Sequence, residues 1–259
     1  MPQENMVVEA GEVLTEDSDI EIKMLPCRVS GLQRLANNVM GLTLKIPEAA
    51  VFHYHAGQYI DILLRDGRRR SYSIANANQD QGLLELHIRH MPGGVFSEHV
   101  FTVLKEKDLL RFRGPYGAFV WRHESHRPAI LVATGTGFAP IKALLEQAFS
   151  EKYKGPLHLY WGNRQQQDFY LLELLNGWQQ MYDNFSFTPV LSKPLDSDDW
   201  KGRYGWVQDA VLADYPELSA YDVYASGSPE MVASAKAVFT ERGLATDHYY
   251  SDAFVKAGD

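Results

Sequence analysis

The hydrophobic periodicity of the chain changes once, close to residue 126, and this change limits the folds open to it. Before that point apolar and polar residues alternate, as in Leu-Thr-Leu-Lys-Ile at 42–46 and Leu-Glu-Leu-His-Ile at 84–88. Alternation of this kind is typical of strands with one buried face. With Gly, Pro and Asn turns between the short segments, the pattern predicts an antiparallel barrel or sandwich from about residue 23 to residue 121.

After residue 126 the apolar residues come in continuous runs. Residues 129–133 read Ala-Ile-Leu-Val-Ala, as in a strand buried on both faces, and apolar residues at helical spacing follow: Ile141, Leu144, Leu145 and Ala148. The pattern recurs with strands at 157–161, 185–190, 222–225 and near 248–251, and with helices at 168–181 and from 229. Alternating strands and helices predict a parallel sheet that binds ligands at the carboxyl ends of its strands.

These two patterns divide the 259 residues into two domains, in line with the roughly 100 to 150 residues typical of one domain. The predicted fold class is all-β plus α/β, with an antiparallel barrel at 23–125 and a parallel-sheet domain at 126–259. Residues 1–22 are acidic, with no basic residue before Lys23. We interpret them as a solvated, linker-like segment.

Composition excludes several classes of function. The net charge of -8 argues against a nucleic-acid partner, and no apolar run approaches the roughly 18 residues of a membrane span. The first residues lack the pattern of a secretory signal, so a cytoplasmic location is expected. Cys27 is the only cysteine, which excludes an internal disulfide and a cysteine-ligated cluster. His53, His55 and His90 lack metal-ligand spacing, so no metal is expected and redox chemistry would need an organic cofactor.

A glycine-rich loop, Gly-Thr-Gly-Phe-Ala-Pro at 135–140, lies directly between the first buried strand and the first helix of the second half. Backbone N–H groups at such a helix start bind anions, and glycine lets a pyrophosphate approach the backbone. The alternative interpretation is a tight strand-to-helix turn in which glycine only supplies a positive φ.

A second motif, Arg70-Ser71-Tyr72-Ser73, follows a basic run in the first half. Arginine offers a bidentate donor to phosphate, tyrosine can stack on a planar ring, and a serine hydroxyl can bind a ring nitrogen. Taken alone, the motif also fits an exposed basic strand with an alternating aromatic residue.

Three motifs in this order carry a resemblance to a known family: Arg-Ser-Tyr-Ser at 70–73, Gly-Gly-Val-Phe-Ser at 93–97 and the loop at 135–140. Together they resemble the flavin and pyridine-nucleotide signatures of the ferredoxin-NADP reductase superfamily, over nearly the whole chain. The phrases DGRRRSYSIANA, LHIRHMPGG and YWGNR are most similar to the reductase half of CDP-6-deoxy-hexulose reductases and of oxygenase reductase components. They are also similar to those of NAD(P)H:flavin reductases.

The resemblance implies a flavin site in the first half. It implies that Arg70 pairs with the flavin phosphate, that Tyr72 stacks on the isoalloxazine, and that Ser73 contacts the region of N5. The turn predicted to hold the flavin pyrophosphate contains Gly93, Gly94 and Ser97. His87 and Arg89 are predicted to line the same face. Gly94 could instead be only a turn residue, while His87 and Arg89 could be solvated strand residues.

The resemblance also implies a nicotinamide site in the second half, formed by Gly135, Thr136, Gly137, Pro140 and Gly227. Ser226 stands where many members of the superfamily have a cysteine, and Phe254 is implied to lie beside the flavin. Ser228, next to Pro229, is better interpreted as a helix N-cap. Arg164 could bind a 2′-phosphate or stay solvated, so NADPH is possible, although the more similar relatives favour NADH.

The function implied is a flavin-dependent oxidoreductase that holds FAD, takes a hydride from NADH or NADPH, and passes electrons to an acceptor. The acceptor would be a redox protein, such as a separate ferredoxin, or a small molecule. Two alternatives stay open, an NAD(P)H:flavin reductase with flavin as a dissociable substrate and a non-catalytic nucleotide-binding redox subunit. The similar reductases that feed oxygenases or deoxysugar enzymes carry a ferredoxin-type domain with cysteine ligands, but Cys27 alone cannot hold a cluster. Electrons are therefore expected to leave directly from the flavin.

Overall fold

The computed structural model describes residues 20–79, 82–195 and 199–254. The elements of the first half are β1 Lys23–Ala36, β2 Val39–Lys45, β3 Tyr59–Leu63, β4 Arg69–Ser73, β5 Leu83–Arg89, α1 Val95–Thr102 and β6 Leu109–Tyr116. Those of the second half are β7 Ala129–Thr134, α2 Phe138–Ser150, β8 Leu157–Asn163, α3 Leu172–Met181, β9 Phe185–Leu191, β10 Arg203–Tyr204, α4 Val207–Asp214, β11 Asp222–Gly227, α5 Pro229–Thr240 and β12 Tyr249–Ala253.

The first sheet is antiparallel, with strand order β4-β3-β6-β1-β2-β5. Its two edge strands meet, because Ile74 pairs with Leu86 and Ala75 N donates to Glu85 O at 2.7 Å. This contact closes the sheet into a barrel, and closure protects edges that would otherwise present unpaired backbone groups. The alternating apolar residues at 42–46 and 84–88 are buried inside, so the predicted antiparallel barrel is confirmed.

The second sheet is parallel throughout, with strand order β10-β9-β8-β7-β11-β12. Its central strand β7 is buried, as expected for the continuous apolar run, and α2 packs Ile141, Leu144 and Leu145 into the core beside it. All six strands end at the same edge, so the loops after β7, β8, β9 and β11 lie close together. The predicted parallel-sheet fold is confirmed.

One predicted element is wrong in its extent. The helix predicted at 168–181 begins only at Leu172, and residues 166–168 form a short 3-10 turn instead. The Asp168 carboxylate accepts from Gln165 N at 3.1 Å and closes this turn, a local bond that competes with helix formation. Phe169 and Tyr170 then run into the core, and Leu171 adopts a φ of 58° before the helix starts.

The core below α2 continues into the barrel, where it includes Val39, Ala56, Phe119 and Trp121. The two sheets therefore share apolar contacts as well as a chain connection. No helix within the described ranges is both long and apolar enough to cross a membrane. Residues 1–19 of the predicted acidic segment lie outside the described residues, and the division of the chain at 125/126 stays a proposal.

Candidate active site

The turn after β7 lies at the carboxyl edge of the parallel sheet, where Gly135–Gly137 form one turn of 3-10 helix before α2. Trp161, at the end of β8, donates from its indole Nε1 to Gly135 O at 3.0 Å. The same indole stacks on Phe138, with ring centroids 4.3 Å apart. A fully buried aromatic pair therefore holds the turn from the core side.

The two glycines of this turn are required for different reasons. Gly135 has a φ of 53°, so the tight-turn interpretation applies to it. Gly137 has an ordinary helical backbone, but a Cβ there would lie 2.2 Å from Ser226 O. Gly137 is thus needed because the turn packs directly against the end of β11.

Ser226 lies between the two neighbouring strands, opposite Ala133 of β7 and Asp252 of β12. It is fully buried, and its hydroxyl has no hydrogen-bond partner in the described part of the chain. A buried polar group without a partner costs about 1 to 3 kcal/mol, which a ligand can recover by binding to it. Thr136 lies half-buried in the facing turn, and Pro140 is buried in the first turn of α2.

The next residues fix the start of α5 and the end of the chain. Ser228 Oγ accepts from Met231 N at 3.2 Å, which confirms the predicted N-cap. Gly227 O accepts from Phe254 N at 2.9 Å, so the half-buried Phe254 is tied to the same edge as Ser226.

The predicted flavin residues lie on β4, where Arg70 and Tyr72 share one face and Ser73 points to the other. The Tyr72 ring lies 5.5 Å from Phe96 of α1, and burial raises the pKa of Tyr72 to about 12. The phenol therefore stays neutral and offers a largely apolar face. Arg70 is half-buried, and its Nη1 donates to Arg69 O at 2.9 Å.

The turn at Gly93 and Gly94 leads into α1. The Ser97 hydroxyl is buried inside this turn, where it binds Met91 N, Met91 O and Gly94 O, each at 3.1 Å. Gly93 N donates to Glu98 Oε1 at 3.2 Å. The donors that the turn leaves for a phosphate are the first backbone N–H groups of the helix, since these have no partner within a helix.

His87 and Arg89 of β5 lie in different environments. His87 is buried between the two sheets, with Nδ1 3.2 Å from the Tyr170 hydroxyl and Nε2 3.0 Å from Glu85 Oε1. The solvated alternative is therefore wrong for His87. Arg89 is exposed, and its Nη1 lies 3.3 Å from where a Cβ on Gly135 would be. The Arg89 guanidinium thus reaches from the barrel to the turn at Gly135–Gly137.

A hydrogen bond joins the strand that carries the predicted flavin residues to the edge that carries the predicted nicotinamide residues. Ser73 Oγ donates to Asp252 Oδ2 at 3.2 Å, and Asp252 is the residue paired with Ser226. Burial raises the pKa of Asp252 to about 6. A cavity of about 280 Å³ adjoins this carboxylate and is also lined by Tyr59 and Arg122. Sequence analysis missed Asp252, although strand alternation up to Phe254 could have indicated it.

Two basic residues follow strands β8 and β9 at the carboxyl edge of the parallel sheet. Arg164 follows β8, and Lys193 N, which follows β9, donates to Arg164 O at 3.0 Å. Both side chains are exposed. A second basic residue, invisible from its place in the sequence, therefore lies beside Arg164.

Two features fit the binding of FAD and a nicotinamide dinucleotide. The Ser226 hydroxyl has no partner among the described residues, and no side chain caps the backbone N–H groups at the start of α1. FAD, when bound, supplies the ring that accepts a hydride from the nicotinamide. The described ranges contain no cluster of His, Cys, Asp or Glu that would hold a metal ion.

Known proteins share this organisation. The Oxidoreductase FAD-binding domain family matches residues 26–121, and the Oxidoreductase NAD-binding domain family matches residues 131–237. The CDP-6-deoxy-L-threo-D-glycero-4-hexulose-3-dehydrase reductase of Yersinia pestis is 41% identical over 240 residues, covering 93% of this chain and 71% of that protein. The NAD(P)H-flavin reductase of Aliivibrio fischeri is 32% identical, covering 88% of this chain and 97% of that protein.

A solved structure agrees with these relatives. The cytochrome P450 reductase GcoB of Amycolatopsis superposes with a TM-score of 0.86 at 28% identity, covering 92% of this chain and 72% of that one. Both halves of the chain and their order are thus shared with flavoprotein reductases. The chain belongs to the ferredoxin-NADP reductase superfamily and is an FAD-dependent NAD(P)H oxidoreductase.

Proposed function

We propose that the chain is an electron-transfer reductase that takes a hydride from NADH onto bound FAD and passes the electrons to a separate iron–sulfur protein. The observation that carries the proposal is the Ser73–Asp252 hydrogen bond, which brings the flavin strand to the residue beside Ser226. The Yersinia pestis relative, named as the reductase of a dehydrase, supports a protein acceptor.

In this proposal Arg70 binds a flavin phosphate, Tyr72 supports the flavin ring, and Ser73 contacts its edge. The turn at Gly135–Gly137 and the hydroxyl of Ser226 hold the nicotinamide end, while Phe254 covers the flavin. Holding two reacting rings at about 3 to 3.5 Å lowers the barrier by proximity, so no acid or base is required of the protein. Arg89, which reaches Gly135, is placed to contact either dinucleotide.

The donor we propose is NADH, in keeping with the match of residues 131–237 to the NAD-binding domain family. Arg164 and Lys193, whose backbones are hydrogen-bonded and whose side chains are exposed, make NADPH the alternative, because basic side chains at this edge can bind a 2′-phosphate. We further propose a cytoplasmic location, where a single buried cysteine such as Cys27 stays reduced.

Replacing Arg70 by Ala is expected to weaken FAD binding by roughly ten- to a hundredfold, because a charge-assisted bond to phosphate contributes about 1.5 to 3 kcal/mol. The measurement is a fluorescence titration of the apoprotein with FAD. Arg69→Ala is the matched control, since the exposed Arg69 side chain points to the opposite face and lies 3.8 Å from Asp61 in an ion pair. Equal affinities for the two variants would contradict the phosphate role of Arg70.

The acceptor is tested with the purified protein. We expect FAD to remain bound through dialysis, and NADH to reduce ferricyanide rapidly while reducing cytochrome c slowly until a [2Fe–2S] ferredoxin is added. The competing function, a flavin reductase, is favoured by the Aliivibrio fischeri relative, which the chain covers almost completely. Loss of FAD on dialysis together with rapid reduction of free flavin would support that function instead.

A further inference from the structure

One buried ammonium group joins the two halves of the molecule. Lys142 of α2 is 5% exposed, although lysine is almost never fully buried without a partner. Its Nζ donates to Ala75 O at 2.9 Å, to Glu85 Oε2 at 2.8 Å and to Glu146 Oε1 at 2.7 Å. An ammonium has three N–H donors, so all of them are used.

Two of the three partners of Lys142 lie in the barrel, Glu85 in β5 and Ala75 just after β4, whereas Glu146 lies one turn further along α2 itself. Ala75 lies two residues after Ser73, and Ala77 N donates to the second oxygen of Glu146 at 2.9 Å. Lys142 itself follows Gly137 by little more than one helical turn. The group therefore connects the end of the flavin strand to the helix that starts at the nicotinamide turn.

The charges of this cluster are arranged around the lysine. Burial acts to raise the pKa of Glu85, but the hydrogen bond from His87 and the charge of Lys142 outweigh it and hold the pKa at about 2. The two carboxylates in turn raise the pKa of Lys142 despite its burial. Burial lowers the pKa of His87, although its hydrogen bond to Glu85 opposes this shift. Glu85 and Glu146 thus share one cation.

We propose that Lys142 is a positioning residue for hydride transfer, setting the separation between the flavin strand and the nicotinamide turn through its bonds to Ala75, Glu85 and Glu146. Apolar contacts alone allow small sliding movements. The bonds of Lys142 to Ala75 and Glu85, with the bond from Ala77 N to Glu146, are three directed bonds between α2 and the barrel and define one arrangement. A misplacement of about 1 Å between reacting groups costs roughly a hundredfold in rate. Lys142 touches neither ring in this proposal and acts only through the backbone it holds.

The test compares Lys142→Met with the triple variant Lys142→Met, Glu85→Gln, Glu146→Gln. In the triple variant both carboxylates are also replaced by neutral amides, so no buried negative charge loses its partner. Lys154→Met, an exposed lysine beyond the same helix, is the control. We measure FAD affinity, NADH affinity and the anaerobic rate of flavin reduction at saturating NADH. Both Lys142 variants are expected to bind the two nucleotides within about threefold of the parent and to reduce flavin about a hundredfold more slowly.

A second readout does not depend on activity. Amide hydrogen exchange at residues 74–77 should accelerate in both Lys142 variants and not in Lys154→Met, because the strand end has lost its anchor. A parent-like rate of flavin reduction in the triple variant would overturn the proposal and leave Lys142 as a charge-balancing residue. If the single variant fails to fold, the triple variant decides. The experiment involves no electron acceptor, so its outcome is separate from that of the acceptor test.

Discussion

Replacing Gly137 by Ala is expected to lower NADH-dependent flavin reduction by at least about a hundredfold and to destabilise the fold by about 3 kcal/mol. The added Cβ would lie 2.2 Å from Ser226 O, 2.5 Å from Ser226 C and 2.8 Å from Gly227 Cα. All three are backbone atoms of β11, which is paired on both sides and cannot move alone. The turn must therefore move away from Ser226, and the proposed nicotinamide site widens.

The measurements are chemical denaturation, NADH affinity and the rate of flavin reduction. Gly177→Ala is the matched control, because a Cβ at that position in α3 would meet no atom within 4 Å from the rest of the described residues, apart from its chain neighbours and the backbone of its own helix. Alanine there should be neutral or stabilising by up to about 1 kcal/mol, since it favours the helix. A Gly137→Ala protein with the stability and NADH affinity of the parent would show that the close approach to Ser226 is not required.

Replacing Trp161 by Ala is expected to cost about 3 to 5 kcal/mol of stability, the usual range for a large buried aromatic side chain. Trp161 is fully buried, stacks on Phe138 and meets the edges of Phe169 and Tyr170. It also donates to Gly135 O, so its removal frees the turn that we propose receives the nicotinamide. NADH affinity should fall with stability.

Trp161→Phe separates these two effects. Phenylalanine keeps most of the ring contact with Phe138 but cannot donate to Gly135 O, which then keeps the backbone N–H of Phe138 as a donor. The loss is one hydrogen bond, typically about 0.5 to 1.5 kcal/mol. We expect the Phe variant to retain most of its stability and still to bind NADH more weakly than the parent. Unchanged NADH affinity in Trp161→Phe would mean that the indole N–H does not position the turn.

Local patterns in the sequence determined the fold class. Alternation at 42–46 and the continuous apolar run at 129–133 predicted one antiparallel and one parallel sheet. Successive side chains of a strand point to opposite faces, so the pattern of consecutive residues shows whether one face or both are buried. The N-cap role of Ser228 was predictable for the same reason, since its bond spans three residues. The flavin and nicotinamide roles came from the order of motifs, and they remain proposals.

Only the tertiary structure decided which distant residues meet. Ser73 and Asp252 are 179 positions apart, and Lys142 lies 67 positions from Ala75. Residue 137 must be glycine because a Cβ there would clash with β11. β11 lies against this turn only because the sheet order places it beside β7. Periodicity reports how each element is buried but not which element buries it. Strand order and domain packing bring these residues together, and neither can be deduced from local residue patterns alone.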